Sequence, residues 1–506
     1  MSKRAKYVIL FAICIIAVFL RFHHLTTTPP GLYADEAIEG DDASQAATTG
    51  HYRVFYTEDN GREGLYVNLI AILLEYFHAP HEPWVVRLPA AIAGALTVPG
   101  VWFLASELFD DGAGLLSAFL LATSFWHINF SRIGFRAILA PFFLTWTLYL
   151  LLRAFRAPSS RAAWIWTISA GTMYGLGFYT YISYRITPLL LLLFIPFCKG
   201  NSYFRRRVFL FIATAFVTAA PIGWYFLKHP SDFFGRISQV SVTSSESPIH
   251  DFSTNLIKTA LMFTSHGDEN WRHNLSGAPE LFWPVGILFL VGIVVSVESL
   301  RRYWRGKHQA NGGRELFPIF ATSLIWAWLV LGMLPVVTSD EGIPHALRSI
   351  LVLPPTVMFA ALGGEWLYGI SSRWMPKGAR TTAAFFLAVT AAYGYYEYFV
   401  LWANNPHLRD AFSVDDVKVG KEINSLPASV PKYLVVPLGD LPPEGMGATT
   451  IMFITGSFTP QEQGARNIHY INREYSLNSN GKISWRDDGG IPPGAHVFYI
   501  HCSSVN

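Results

Sequence analysis

Residues 3–37 read KRAKYVILFAICIIAVFLRFHHLTTTPPGLYADEA. A basic start leads into an apolar run from Tyr7 to Leu20, then a proline-glycine turn, then two adjacent carboxylates, Asp35 and Glu36. A basic start and an apolar middle are also the layout of a signal peptide. Here Arg21-Phe22-His23-His24 stand where a small-residue cleavage site would be, so the run reads as a retained first membrane helix.

Working outward, a helix needs about 20 mostly apolar residues to cross a bilayer. Further runs of that kind lie near 87–106, 113–129, 137–153, 163–181, 184–198, 207–226, 281–299, 317–336, 349–369 and 380–401. With 7–22 they predict about eleven transmembrane helices. The composition agrees: 51% of residues are hydrophobic and 14% charged, against about 25% charged in soluble domains. A net charge of +3 over 506 residues argues against nucleic acid as a partner. The three cysteines, Cys14, Cys198 and Cys502, have no metal-site or disulfide spacing. No repeat of 20–50 residues is present.

Basic residues gather in short loops: Lys3, Arg4 and Lys6; Arg153, Arg156 and Arg161; Lys199 and Arg205 to Arg207; Arg301, Arg302, Arg305, Lys307 and Arg314; Arg373, Lys377 and Arg380. Eleven crossings put every cluster on one side, the cytoplasmic one. The N-terminus is then cytoplasmic. Loops 23–86 and 227–280 and the segment 403–506 are then extracytoplasmic. Loop 23–86 holds an apolar stretch, Leu65 to Phe77, that reads as an amphipathic surface helix. In the tail, Val414–Leu426 has helical periodicity, while 433–437, 450–454 and 496–500 read as strands. The expected fold is a polytopic α-helical membrane domain, 1–402, followed by a small α/β domain, 403–506.

The polar loops carry the candidate chemistry. Asp35 and Glu36 follow the turn out of the first helix; near a membrane surface a carboxylate can act as a base. The plainer reading makes Asp35 a helix N-cap with Glu36 in the first turn. Arg62 and Glu63 lie between two glycines, where Arg62 could grip a phosphate or form a local ion pair. Arg132 and Arg136 are four apart, which a helix would place on one face; arginines at such depth also snorkel to lipid headgroups, and Arg185 has the same two readings. Residues 263–274 include His266, Asp268, Arg272 and His273. They suit a phosphate or sugar, and they are compatible with a divalent cation through His266, Asp268 and His273, although loop spacing constrains ligands little. No residue set is assigned as a metal site, and no cofactor is demanded. His345 and Arg348, three apart, could face one anion. All these groups fall on one side, which predicts a single outer cavity of carboxylates and cations.

Gly31-Leu32-Tyr33-Ala34-Asp35-Glu36-Ala37, Asn60-Gly61-Arg62-Glu63, Arg87-Leu88-Pro89-Ala90 and Ser131-Arg132-Ile133-Gly134-Phe135-Arg136 together resemble the GT-C membrane glycosyltransferases. The likeness is greatest to glycosyltransferase family 39, the protein O-mannosyltransferase and aminoarabinose-transferase group, over roughly residues 1–400. The resemblance implies a sugar donor carried on a polyprenyl phosphate and inverting transfer to a hydroxyl of a lipid, protein or glycan on the outer face. It implies Asp35 as the catalytic acidic residue, supported by Glu36. It implies donor contacts from Arg62 or Glu63. Arg132, Arg136, Arg185, Arg272, His273, His345 and Arg348 are assigned to donor phosphate or sugar by charge and side alone. The alternatives are a lipid or polysaccharide transporter, which would place ionisable residues inside the spans, and a non-catalytic glycan-binding scaffold.

Overall fold

The structure, a computed structural model, describes residues 2–58, 60–157, 160–198, 202–239, 247–305, 316–339, 342–442, 445–477, 483–486 and 490–500. Asp59, Lys199, Lys307, Arg314, Asp340, Glu341 and Cys502 lie outside the described residues. In chain order the helices are α1 (Lys3–Phe22), α2 (Ala34–Thr49), α3 (Leu65–Tyr76), α4 (Pro83–Leu108), α5 (Asp111–Thr123), α6 (Phe125–Phe130), α7 (Leu139–Arg156), α8 (Ser160–Gly177), α9 (Pro188–Leu191), α10 (Ile195–Cys198) and α11 (Ser202–Lys228). There follow α12 (Pro230–Gln239), α13 (Pro248–Leu261), α14 (Trp283–Trp304), α15 (Leu316–Val337), α16 (Leu353–Trp374), α17 (Pro376–Tyr395), α18 (Leu408–Ala411), α19 (Val414–Ser425), α20 (Thr449–Thr455) and α21 (Pro460–Arg466). The chain divides into two compact units, one of Met1–His23 with Ala90–Trp402 and one of His24–Pro89 with Ala403–Asn506.

The first unit is helical and polytopic. Among the described residues, eight helices are long and apolar enough to cross a membrane: Lys3–Phe22, Pro83–Leu108, Arg136–Arg156, Ser202–Lys228, Trp283–Tyr303, Phe317–Val337, Ile350–Trp374 and Pro376–Trp402. Eight of the eleven expected runs meet that length and hydropathy; the other three, 113–129, 163–181 and 184–198, form other helices. The run 113–129 is split: α5 has 13 residues and ends at Ser124, whose hydroxyl caps α6. The run 184–198 is broken into 3-10 turns and the four-residue helices α9 and α10, with Pro188 and Pro196 each lacking a backbone donor. The run 163–181 forms α8, of 18 residues.

Two features show how this unit packs. Arg21, fully buried near the end of α1, donates to the carbonyls of Ala122 (2.7 Å) and Leu121 (3.1 Å) and pairs with His127 Nδ1 at 2.7 Å. It thus satisfies carbonyls that the end of α5 leaves without helical partners. Farther along, α14 and α16 meet through Gly292 and Gly363. A Cβ on Gly363 would lie 2.0 Å from the Leu288 carbonyl oxygen, and one on Gly292 would lie 1.8 Å from that of Phe359. Only small residues let helix backbones approach so closely.

The second unit joins the first loop to the tail. Strands β1 (Phe55–Tyr56) and β2 (Arg62–Glu63) pair antiparallel; Arg62 of β2 bonds to the Asp35 carbonyl of α2, and the Tyr56 hydroxyl of β1 donates to Asn68 of α3 at 2.7 Å. In the tail, β3 (Lys432–Pro437), β4 (Ile468–Arg473) and β7 (His496–Tyr499) form a parallel sheet in the order β4-β3-β7. The short antiparallel pair β5 (Tyr475–Leu477) and β6 (Ile483–Trp485) stands apart from it. Ile423, Leu434, Val436, Ile451, Met452 and Ile468 fill the core of the tail. The segment 450–454, expected as a strand, is the helix α20, whose seven residues are all buried. A short apolar run buried all round has no period to separate strand from helix. Residues 24–89 group with the tail because small residues admit it: a Cβ on Gly40 would lie 2.6 Å from the Phe453 ring, and Thr450 donates to the Leu32 carbonyl at 3.1 Å. A boundary at 402 therefore does not by itself separate the compact units.

Candidate active site

The carboxylate pair opens α2. Tyr33, not Asp35, is the N-cap residue, and its N–H donates to Glu36 Oε2 at 3.2 Å. Asp35 and Glu36 fall in the first turn, where carboxylates complement the helix dipole. Gly31, at φ +65, makes the preceding turn, and a Cβ there would strike the Phe412 carbonyl at 2.0 Å.

The two carboxylates have different surroundings. The Glu36 side chain is fully buried, as is that of Arg87, and the two are bidentate: Nε to Oε1 at 2.8 Å and Nη2 to Oε2 at 3.0 Å. The same guanidinium donates to the carbonyls of Pro29 (2.6 Å) and Gly31 (2.9 Å). Both Glu36 oxygens are engaged in holding the turn. The Asp35 side chain is 24% exposed. It accepts from the Tyr33 hydroxyl and from Arg62 Nη2 at 3.2 Å, while Arg62 Nη1 donates to the Asp35 carbonyl at 2.9 Å. Arg62 is 1% exposed and is held in β2 beside the equally buried Glu63. Asp35 is thus a carboxylate fixed from two sides yet open to solvent, a geometry that suits a base.

The sequence reading did not single out Arg87, nor the buried Glu39, Asp41 and Asp42 that follow the pair on α2. Asp35, Glu39 and Asp42 recur at i, i+4 and i+7 and share one helix face. Burial pushes Asp42 up to about 7; Arg62 opposes the shift, while Glu58 and Glu39 add to it. Burial, with Asp42 and Glu462 adding, holds Asp41 well above the usual carboxylate range. The signal was available: five carboxylates between Asp35 and Asp42, within a stretch without charged partners of its own.

A second polar centre lies within the membrane unit. Asp268 Oδ2 accepts from His273 Nδ1 at 2.9 Å and from the Ala346 N–H at 2.8 Å, and lies 3.7 Å from His345 Nδ1. Burial would raise Asp268, but His273 and His345 outweigh it and hold the carboxyl below its usual range. Burial, with His273, Arg348 and Arg272 adding, holds His345 well below the usual imidazole range against the pull of Asp268. Asn129 Nδ2 donates to the carbonyls of Arg272 and His273, both at 2.8 Å, and Trp126 Nε1 donates to that of Ala346 at 3.1 Å. Segments 126–136, 262–281 and 342–349 thus meet here.

Ligand atoms of Asp268, His273 and His345 all lie within 4.8 Å of one another. Two imidazoles and a carboxylate suit Zn²⁺ or a similar divalent ion. His266 is not among them: its Nε2 pairs with Glu269 at 2.9 Å on an exposed edge. The sequence singled out His345 for an anion but could not show that it joins Asp268 and His273, because it comes from a different loop.

The other candidates fall separately. Arg132 is fully buried; it donates to the Leu20 carbonyl at 3.1 Å and lies over the rings of Tyr398 and Phe399. Arg136 lies in a 3-10 turn over Tyr181, so the two arginines do not share a helix face. Arg348 donates to the Ser339 hydroxyl. Arg185 donates to the Phe233 carbonyl at 2.9 Å, between the rings of Phe226 and Phe233.

Two solved structures share this architecture over most of the chain. ArnT from Cupriavidus metallidurans, bound to undecaprenyl phosphate, aligns with a TM-score of 0.54 at 13% identity, over 93% of this chain and 90% of its own. The oligosaccharyltransferase AglB from Archaeoglobus fulgidus, in complex with an inhibitory peptide and a dolichol-phosphate, aligns at 0.55 and 13% identity, over 97% and 75%. The fold is that of the GT-C glycosyltransferases. Residues 66–225 match the family model described as dolichyl-phosphate-mannose-protein mannosyltransferase. A Bacillus subtilis (strain 168) protein named as a candidate mannosyltransferase, YkcB, is 26% identical over 173 residues. That match covers 34% of this chain and spans 23% of the relative's length.

Proposed function

We propose that this protein transfers a sugar from a polyprenyl-phosphate-linked donor to a hydroxyl of a lipid, protein or glycan, with inversion, on the extracytoplasmic face of the membrane. One observation carries the reading: Asp35 is a carboxylate open to solvent, oriented by Arg62 and Tyr33, in a chain with the GT-C fold. The acceptor oxygen attacks the anomeric carbon as its proton passes to Asp35. The bond from that carbon to the donor phosphate oxygen breaks, and the polyprenyl phosphate leaves with the electron pair. One base suffices for a single displacement. Arg62 positions Asp35, and Glu36 with Arg87 fixes the turn that presents it.

The charge on the departing phosphate calls for cationic donors. Arg272 and Arg348 are assigned that charge; His273 and His345 are assigned as hydrogen-bonding groups to the donor phosphate or sugar beside them. Arg132 and Arg185 are engaged with carbonyls and rings, which suits support of the fold. A divalent ion held by Asp268, His273 and His345 would supply further positive charge. The proposed topology keeps the N-terminus cytoplasmic, with α5–α6, α8 and the broken segment 182–198 crossing in addition to the eight long spans. The packing of α8 along α7 and α11 supports this. The test is incubation with a panel of polyprenyl-phosphate sugars and hydroxyl acceptors, followed by mass analysis. Release of polyprenyl phosphate together with a glycosylated acceptor is the expected result; an inert protein across the panel would contradict the proposal.

A further inference from the structure

Away from the residues assigned above, a small cavity lies among α5, α14 and α17. It admits about one water-sized sphere, near 20 Å³. Two carboxylates line it, Glu280 and Glu397, with Ser124, Thr123 and Tyr393. Both are more than nine-tenths buried. Glu280 Oε1 accepts the Asp268 N–H at 3.0 Å, whereas Oε2 is buried and has no hydrogen-bond partner among the described residues. Glu397 accepts the Tyr393 hydroxyl at 3.3 Å. It stands in a π-helical turn, Tyr396–Trp402, a local widening that often marks a functional position.

The charge balance around the cavity is one-sided. Among the described residues, its lining holds no lysine, arginine or histidine. The C-terminal end of α5, at Thr123, contributes the negative end of a helix dipole. Arg21 already binds the Leu121 and Ala122 carbonyls of that end, so the end of α5 accepts cations. A buried charge needs a partner, and these two carboxylates have no cationic side chain lining their cavity.

We propose that Glu280 and Glu397 bind a calcium-sized divalent cation. The donors are all oxygens, which selects a hard ion. Calcium accepts irregular carboxylate, hydroxyl and carbonyl sets, whereas magnesium keeps several waters for which the cavity has no room. The ion neutralises both carboxylates and ties the last span to Glu280. Through the Glu280–Asp268 bond it steadies the segment that carries Asp268 and His273. It is therefore a structural ion, separate from the Asp268–His273–His345 cluster.

The probe is radioactive calcium, added to chelator-stripped full-length protein in detergent. The wild type is expected to bind one ion per chain, held against a large excess of magnesium. Glu280→Gln and Glu397→Gln should each weaken binding at least about tenfold, whereas His345→Gln, which alters the other cluster, should leave it unchanged. Terbium in place of calcium gives a readout that does not depend on removing a carboxylate: its luminescence should be sensitised by Tyr393, dimmed in Tyr393→Phe and quenched by calcium. Wild-type protein that binds no calcium at millimolar concentration would overturn the proposal, as would equal binding in both Gln variants. Equal displacement by magnesium would also overturn it.

Discussion

Arg87→Met tests the structural half of the active-site account. Arg87 and Glu36 are both fully buried, and the guanidinium makes four bonds, two to Glu36 and two to the carbonyls of Pro29 and Gly31. Removing one partner of a buried pair costs about 3–5 kcal/mol, because the remaining charge keeps its desolvation penalty and loses its compensation. Replacing both partners with apolar groups is close to neutral. The single variant should therefore melt on the order of 10 °C lower, while the double variant Arg87→Met/Glu36→Leu should recover most of that loss. Thermal unfolding of the purified protein in detergent, run as a double-mutant cycle, measures both. The double variant should stay poorly active despite its recovered stability, because the turn that presents Asp35 has lost its two carbonyl contacts. A drop below about 2 °C in the single variant, or a double variant that melts lower than the single, would refute the reasoning.

Arg62→Lys keeps a positive charge but cannot hold the Asp35 carbonyl and carboxylate together; turnover should fall roughly 10-fold or more while the melting temperature changes little, and unchanged turnover would remove Arg62 from the account. Asp42 titrates near 7 in the folded protein against about 3.9 unfolded, so the unfolded chain gives up this proton first. Its contribution to stability is full below about pH 4, is lost as pH rises toward 7 and stays lost above. Asp42→Asn should therefore gain melting temperature over the wild type progressively across that range and hold the gain at pH 8; a difference independent of pH would contradict the assignment.

What the sequence makes legible is what local pattern encodes. The apolar run from Tyr7 to Leu20, the turn through Gly31 and the acidic pair are contiguous, and the helix α3 follows from the composition of 65–76. Contacts between distant residues leave no such trace. Arg87 lies 51 residues from Glu36, and His345 lies 77 from Asp268. Neither spacing has a period to betray it, so the sequence sets Glu36 beside Asp35, and His266 beside Asp268 and His273, without showing the distant partners Arg87 and His345. Burial is equally hidden: Arg132 at an interface reads as a lipid contact, yet it is enclosed by Tyr398 and Phe399. Hydropathy alone also does not see where an apolar run is broken, at Ser124 and around Pro188 and Pro196. The tail strand at 450–454 erred because a fully buried short helix is apolar on every side.

The central claim is that Asp35 removes the acceptor proton during transfer from a polyprenyl-phosphate sugar. Asp35→Asn preserves the size of the side chain and its capacity to accept from Arg62 and Tyr33, but it cannot take a proton. With a donor and acceptor that the wild type uses, release of polyprenyl phosphate by Asp35→Asn should fall roughly 10²–10⁴-fold, while donor binding and melting temperature stay near wild type. Transfer by Asp35→Asn at the wild-type rate would contradict the account.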